Sequence, residues 1–296
     1  MPVSGPKPFL KWAGGKGQVL PAIEAVLPFR IKGYYEPFLG GGAVFWALAS
    51  SRRFESARLN DWNQELVNTY EAVRDEPEAL LQTLDGHKKK AWNTREYFNE
   101  IRAQDPWKLS PIDRAARMIY LNKTCFNGLY RVNKKHGEFN TPFGDYRNPA
   151  LADSSNIRAC SQALQRNVTL TQGDFQTVFQ DASPGDLVYF DPPYVPLSTT
   201  ANFASYTSAG FGMADQSRLA SCLKELADRD VSFILSNHDT EATRKLYEGF
   251  EIVSVQVKRN INSKADKRGH VGELLVVHRG SAHRVSTKFD YASLGE

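Results

Sequence analysis

Apolar residues recur at two periods along the chain, and the switches between them outline its elements. A Gly-rich turn, Ala13 to Gly17, precedes Val19, Leu20, Ile23, Val26 and Leu27, whose spacing predicts a helix. Tyr34 to Phe38 is strand-like, three glycines follow, and a helix is predicted from about Ala43. SARLND then forms a short strand ending at Asp61. From Asn63 to about Phe126 the period is helical throughout, and its last helix starts on Ser110 as N-cap and Pro111 as first residue, with Ile112, Ala115 or Ala116, Ile119 and Lys123 on one face. Beyond residue 150 helices and strands alternate again: NIRACSQALQ, VTLTQGDF, DLVYF, DQSRLASCLKELADR and VSFILSN. EIVSVQVKR and GELLVVHR close the pattern as an antiparallel hairpin. The expected fold is α/β, a Rossmann-like sheet split by an inserted, mainly helical unit. The expected domains are 1–62, 63–150 and 151–296.

Within this pattern Leu187 to Phe190 reads as a strand buried on both faces. It stops at Asp191, because Pro192 and Pro193 neither donate to a ladder nor continue a helix. A carboxylate and the Tyr194 ring are thereby held together at a strand's carboxyl end, where open α/β sheets bind ligands. An amino group with two hydrogens suits the Asp191 carboxylate and the Pro192 carbonyl, while its ring stacks on Tyr194.

The glycine segments suggest a second ligand. Strand, glycine turn and helix around Gly40 make the first unit of a nucleotide-binding fold, yet a dinucleotide fingerprint would place its third glycine where Phe45 stands, which disfavours NAD. Asp61 follows Gly40 at close to the spacing at which an acid reaches ribose hydroxyls. The earlier GGKG turn is not a P-loop, and taken alone it fits a plain helix start as well as a ligand loop with Lys16 beside it. Asp174 and Phe175 end the VTLTQGDF strand, placed to hold an adenine ring by hydrogen bond and stacking, or simply to cap and pack.

Charge changes the picture by its placement. The net charge is only +4, but residues 121–148 carry five Lys/Arg against two acids and 256–270 carry five against one. Such segregation suits a nucleic-acid partner. The first of these stretches, FNGLYRVNKKHGEFNTPFGDYRNP, mixes Arg, Asn and aromatics able to read base edges or wedge between base pairs. In the second, Lys264, Lys267 and Arg268 are candidates for phosphate contacts. With 41% hydrophobic and 24% charged residues the composition is globular. Cys125, Cys160 and Cys222 read as reduced packing residues, no signal peptide or membrane span is evident, and no cluster has metal-ligand spacing. The expected location is the cytoplasm, with no metal.

DPPY, together with LKWAGGK, a PFxGGG-type loop and NGLYRVN followed by GEFNTPFG, resembles the motif set of Dam-type DNA adenine-N6 methyltransferases of class I, α group. The resemblance runs from Phe9 to Val277 in that group's motif order. It implies S-adenosylmethionine as donor and catalysis by Asp191, Pro192, Pro193 and Tyr194. The donor would be bound by Trp12, Lys16, Phe38, Gly40, Asp61, Asp174, Phe175 and Asp191. It implies DNA contacts by Phe126 and Asn127 at the vacancy left by a flipped adenine, by Leu129, Arg131 and Lys11 at bases, and by Pro142 at a thymine methyl, in the site GATC. RVNKKHGEFN is a residue longer than in some relatives, which leaves the hairpin's reach open. The expected partner is double-stranded DNA, met by a monomer, with a cognate restriction endonuclease as a further candidate. Methylation of RNA or protein amides, or DNA binding without catalysis, are the rival readings; methyl incorporation into each polymer and donor binding separate them.

Overall fold

A computed structural model describes residues 5–88, 92–133, 138–194, 211–258 and 270–284. Lys264, Lys267 and Arg268, and the stretch immediately after Tyr194, lie outside these residues. Among the described residues the strands are β1 (Ile31–Glu36), β2 (Phe54–Asp61), β3 (Val168–Gln172), β4 (Leu187–Phe190), β5 (Ser232–His238), β6 (Glu251–Lys258) and β7 (His270–His278). They form one sheet in the order β3-β2-β1-β4-β5-β7-β6. The first five run parallel, and β7 is antiparallel to both its neighbours.

All four residues of β4 are buried, which is what a parallel strand covered on both faces requires. The sequence order reverses direction between β1 and β4, which lie side by side. The chain therefore leaves the two strands toward opposite edges and opens a crevice at their carboxyl ends. Pro37 to Gly40 follow β1 and Asp191 follows β4, so both candidate loops meet there.

Helices α1 (Leu20–Val26) and α2 (Ala43–Ser50) flank the first strand. The helical run consists of α3 (Gln64–Asp75), α4 (Pro77–Lys88), α5 (Arg95–Ala103) and α6 (Pro111–Thr124). Asn63 caps α3 by accepting from the Glu65 and Leu66 amides, and Ser110, as expected, caps α6 by accepting from that of Asp113. Helix α3 lies against β2 and β3 as well as α6 and α7 (Ser154–Leu164). The apolar core is accordingly continuous from Tyr34 and Leu59 in the sheet to Phe98, Ile119 and Tyr120 in the helical run. On the other side α8 (Met213–Asp228), α9 (Glu241–Leu246) and α10 (Ser281–Arg284) complete the chain, and Leu219, Leu223 and Leu226 of α8 are buried as their spacing predicts.

One polar cluster sits inside that core. Arg117 on α6 pairs with Glu65 on α3 at 3.3 Å, their side chains only 4% and 8% exposed. Arg117 also donates to the Ile101 and Arg102 carbonyls at 3.1 and 3.0 Å, and the Tyr130 hydroxyl donates to the second Glu65 oxygen at 2.8 Å. Breaking such a pair leaves an uncompensated buried charge. Arg117→Met should therefore lower the unfolding free energy by about 3 to 5 kcal/mol, measured by denaturant titration. The added change Glu65→Gln should restore part of that loss, and a loss below about 1 kcal/mol in the single variant would show the charge to be solvated.

Candidate active site

Asp191 follows the last residue of β4, and its carboxylate meets Lys16 Nζ at 2.8 Å. Lys16 belongs to a short 3-10 turn, Lys16–Gln18, after the GGKG segment, and is buried. Its ammonium also donates to the Gly14 carbonyl at 2.7 Å and stands 4.8 Å from the centre of the Tyr194 ring. One cation thus touches both the carboxylate and the aromatic face. Burial pushes the Asp191 carboxyl above its ordinary range; Lys16 opposes this, and Glu273 adds to it. Glu36, at the end of β1, is a second buried carboxyl raised by desolvation, with the Tyr34 hydroxyl donating to it at 2.8 Å.

Across the crevice Gly40 adopts φ +49, and a Cβ there would fall 2.8 Å from the Trp12 ring. Glycine is required on both counts. Asp61 accepts from the Gly40 amide at 2.9 Å through one oxygen and from the Asn63 amide at 2.9 Å through the other, so this carboxylate ties the glycine loop to the end of β2. Phe38 stacks on Phe175 with centroids 5.2 Å apart, and the Arg218 guanidinium covers Phe175 at 4.5 Å. Phe175 is buried behind Phe38, which is itself half-buried. Asp174 caps the turn that carries Phe175 and pairs with Arg218 at 2.9 Å. The crevice therefore offers a glycine turn, an aromatic ring and carboxylates at the ends of β2, β3 and β4. That donor set fits a ligand combining a cationic centre, ribose hydroxyls and a flat heterocycle.

Residues 12–261 match the family described as D12 class N6 adenine-specific DNA methyltransferase. A type II methyltransferase of Lactococcus lactis subsp. cremoris is 41% identical over 280 residues, covering 93% of this chain and 96% of its own. A type II methyltransferase of Methanocaldococcus jannaschii is 42% identical over 291 residues, 92% of this chain and 99% of its own. The DNA adenine methylase of Escherichia coli K12 is 34% identical over 271 residues, 92% and 95%. The chain belongs to the D12 class of N6 adenine-specific DNA methyltransferases. It is accordingly an enzyme of α/β methyltransferase fold that methylates adenine in DNA.

In this D12 enzyme the described residues expected at DNA belong to one hairpin, apart from Lys11, which packs against Gly128 of that hairpin. The hairpin is tied by backbone bonds, Phe126 amide to Pro142 carbonyl at 2.9 Å and Asn140 amide to Arg131 carbonyl at 2.9 Å. Phe126, Asn127, Arg131, Pro142 and Lys11 are exposed there, and Leu129 is half-buried. Asn127 has φ 55, a left-handed conformation that asparagine tolerates, and donates its amide to the Tyr146 hydroxyl at 2.7 Å. Phe126 leaves 51% of its surface in solvent, unusual for a phenylalanine. Lys11 reaches this hairpin because Asn122 clamps its backbone, accepting from the Lys11 amide at 2.9 Å and donating to the Lys11 carbonyl at 2.6 Å.

Sequence reading passed over Glu36, Glu273, Gln216 and Asn122, and placed Lys123 only on a helix face. Burial, with Lys11 beside it, brings the Lys123 ammonium down to about 8. Among the described residues there is no group of His, Cys, Asp and Glu able to hold a metal, and no helix is long and apolar enough to cross a membrane. A pH dependence follows from the expectation that Asp191 accepts from the target amine. Because its carboxyl is raised by burial, kcat should fall on the acid side above the ordinary aspartate range. Lys16 favours the charged form, so Lys16→Met should move that acid limb to still higher pH. A limb that stayed in place, or moved down, would dissociate it from Asp191.

Proposed function

We propose that this enzyme takes its methyl group from S-adenosylmethionine and places it on the N6 of an adenine swung out of double-stranded DNA, in the site GATC. The observation that carries the reading is the single cluster of Lys16, Asp191 and Tyr194, in which one cation contacts a carboxylate and an aromatic face at once. An adenine amino group and ring would make the same pair of contacts.

S-adenosylmethionine supplies an electrophilic methyl carbon on a sulfonium centre. Asp191 and the Pro192 carbonyl hold the two amino hydrogens, so that the N6 lone pair is freed from the ring and points at that carbon. The proton that the amine loses on methylation would pass to the Asp191 carboxylate, whose charged form Lys16 Nζ supports at 2.8 Å. Pro193 stiffens the turn, and Tyr194 stacks on the base, offsetting part of the few kcal/mol that unstacking costs. Trp12, Lys16, Phe38, Gly40, Asp61, Asp174 and Phe175 frame the donor. Residues 63–150 carry recognition, with Arg131 and Lys11 at guanines, Leu129 and Pro142 at the thymine pair, and Phe126 with Asn127 in the vacated stack. Lys264, Lys267 and Arg268 take phosphates. Because relatives named type II methyltransferases and DNA adenine methylases are both close, a cognate endonuclease is compatible with this reading.

Asp191→Ala should lower turnover by about 10²- to 10⁴-fold with donor dissociation nearly unchanged. Retention of more than about a tenth of the activity would remove Asp191 from the chemistry. Arg131→Ala should cost roughly 1 to 3 kcal/mol at one guanine only, read as kcat/KM on GATC and each single-base variant at fixed salt. Equal loss on every duplex would make Arg131 a phosphate ligand, and efficient wild-type methylation of DNA lacking GATC would end the site assignment.

A further inference from the structure

We propose that Glu273, on β7, is a positioning residue for methyl transfer: it fixes the plane of the Tyr194 ring on which the target adenine stacks. The inference rests on the reading of Tyr194 given above.

The turn's backbone is already held without it. Pro192 and Pro193 have locked φ angles, and Gln216 of α8, only 2% exposed, donates Nε2 to the Pro193 carbonyl at 2.8 Å. Gln216 is held in turn, its Oε1 accepting from Asn237 Nδ2 at 3.2 Å and from the Tyr247 hydroxyl at 3.1 Å. With the Pro193 carbonyl engaged, the Pro192 carbonyl is the one left to an incoming amine. What remains to be set at Tyr194 is the side-chain torsion. Its hydroxyl donates to Glu273 Oε2 at 2.9 Å, and the His238 ring meets it edge-on at 4.8 Å and 77°. His238 and Glu273 are direct partners across the antiparallel β5–β7 ladder. Sheet register thus delivers both restraints to one ring.

Glu273 touches the far end of the tyrosine and not the amine's acceptors, so its work is geometric. Its charge gives it a second, separable signature. The groups facing Asp191 are Lys16 from the first turn, Glu36 and Tyr34 from β1, Tyr189 from β4, Tyr194, and Glu273 itself. Removing the Glu273 charge while keeping an acceptor lowers the Asp191 pKa without releasing the ring.

The test compares Glu273→Gln and Glu273→Ala in the full-length enzyme, on a duplex that the wild type methylates. A misplaced reacting group costs up to about 10²-fold. Glu273→Ala should therefore lose roughly 10- to 100-fold in kcat, with the DNA KM and donor dissociation constant within about threefold of wild type. Glu273→Gln should keep kcat within about threefold and shift the acid limb of its pH profile downward. Glu273→Ala within threefold of wild type overturns the inference. So does equal damage in both variants accompanied by weaker donor binding and a lower Tm, the mark of a merely structural residue. An active Asp191→Ala would overturn the underlying site reading, whereas inactive Asp191→Ala with fully active Glu273→Ala would overturn only the role of Glu273.

Discussion

The Lys16–Asp191 ion pair joins the chain's first turn to its central strand, and the architecture around the crevice follows from having to bury it. A carboxylate at the mouth of a fully covered strand is costly to ionise, and the 2.8 Å contact with a buried ammonium offsets that cost. Such a pair is weak evidence for stability, since apolar replacements commonly serve as well or better. The pair makes sense in an active site, where a charge held in a low-dielectric crevice acts more strongly on a ligand than one in water. The same cation over Tyr194 draws the aromatic ring into the arrangement, so three side chains share one electrostatic centre.

A second chain of contacts runs from the glycine loop toward the hairpin of residues 126–142. Trp12 packs on Gly40 and Gly41 and stacks on Tyr130 at 5.5 Å; Tyr130 hydrogen-bonds Glu65, and Glu65 pairs with Arg117 in the core of the helical run. Gly128, in the hairpin, packs so close to Lys11 that a Cβ would fall 2.6 Å from it. The hairpin and the crevice are therefore neighbours through direct packing, and the apolar core is continuous around α3.

Much of this was legible in the sequence where the physics is local. Two prolines after an apolar run dictate the Asp191 turn wherever it occurs, and glycines at 40 and 42 with positive φ dictate a tight loop. Ser110 and Pro111 announce α6 in the same way. What stayed hidden depends on partners that only the fold supplies. Gln216 meets Pro193 across 23 positions, Tyr194 meets Glu273 across 79, and Lys11 meets Asn122 across 111. A glutamine in an amphipathic helix and a glutamate in an alternating strand look like surface residues by period alone. Phe175 illustrates the converse: its position at a strand end left open whether it stacks on a ligand or packs, and the fold puts it behind Phe38 with Arg218 on its ring.

The antiparallel β6–β7 pair is where this difference matters most. By period it reads only as sheet closure, and an α/β crevice needs no more from that edge. Yet β7 lies next to β5, and the residues facing each other across that ladder at its crevice end are His238 and Glu273, both on Tyr194. Gln216 from α8 approaches the same turn from the other side. The strand reversal that closes the sheet thus also frames the aromatic ring beside Asp191, and a parallel strand at that position would bring its residues to the crevice in a different register. In this enzyme, sheet topology and site geometry are one constraint.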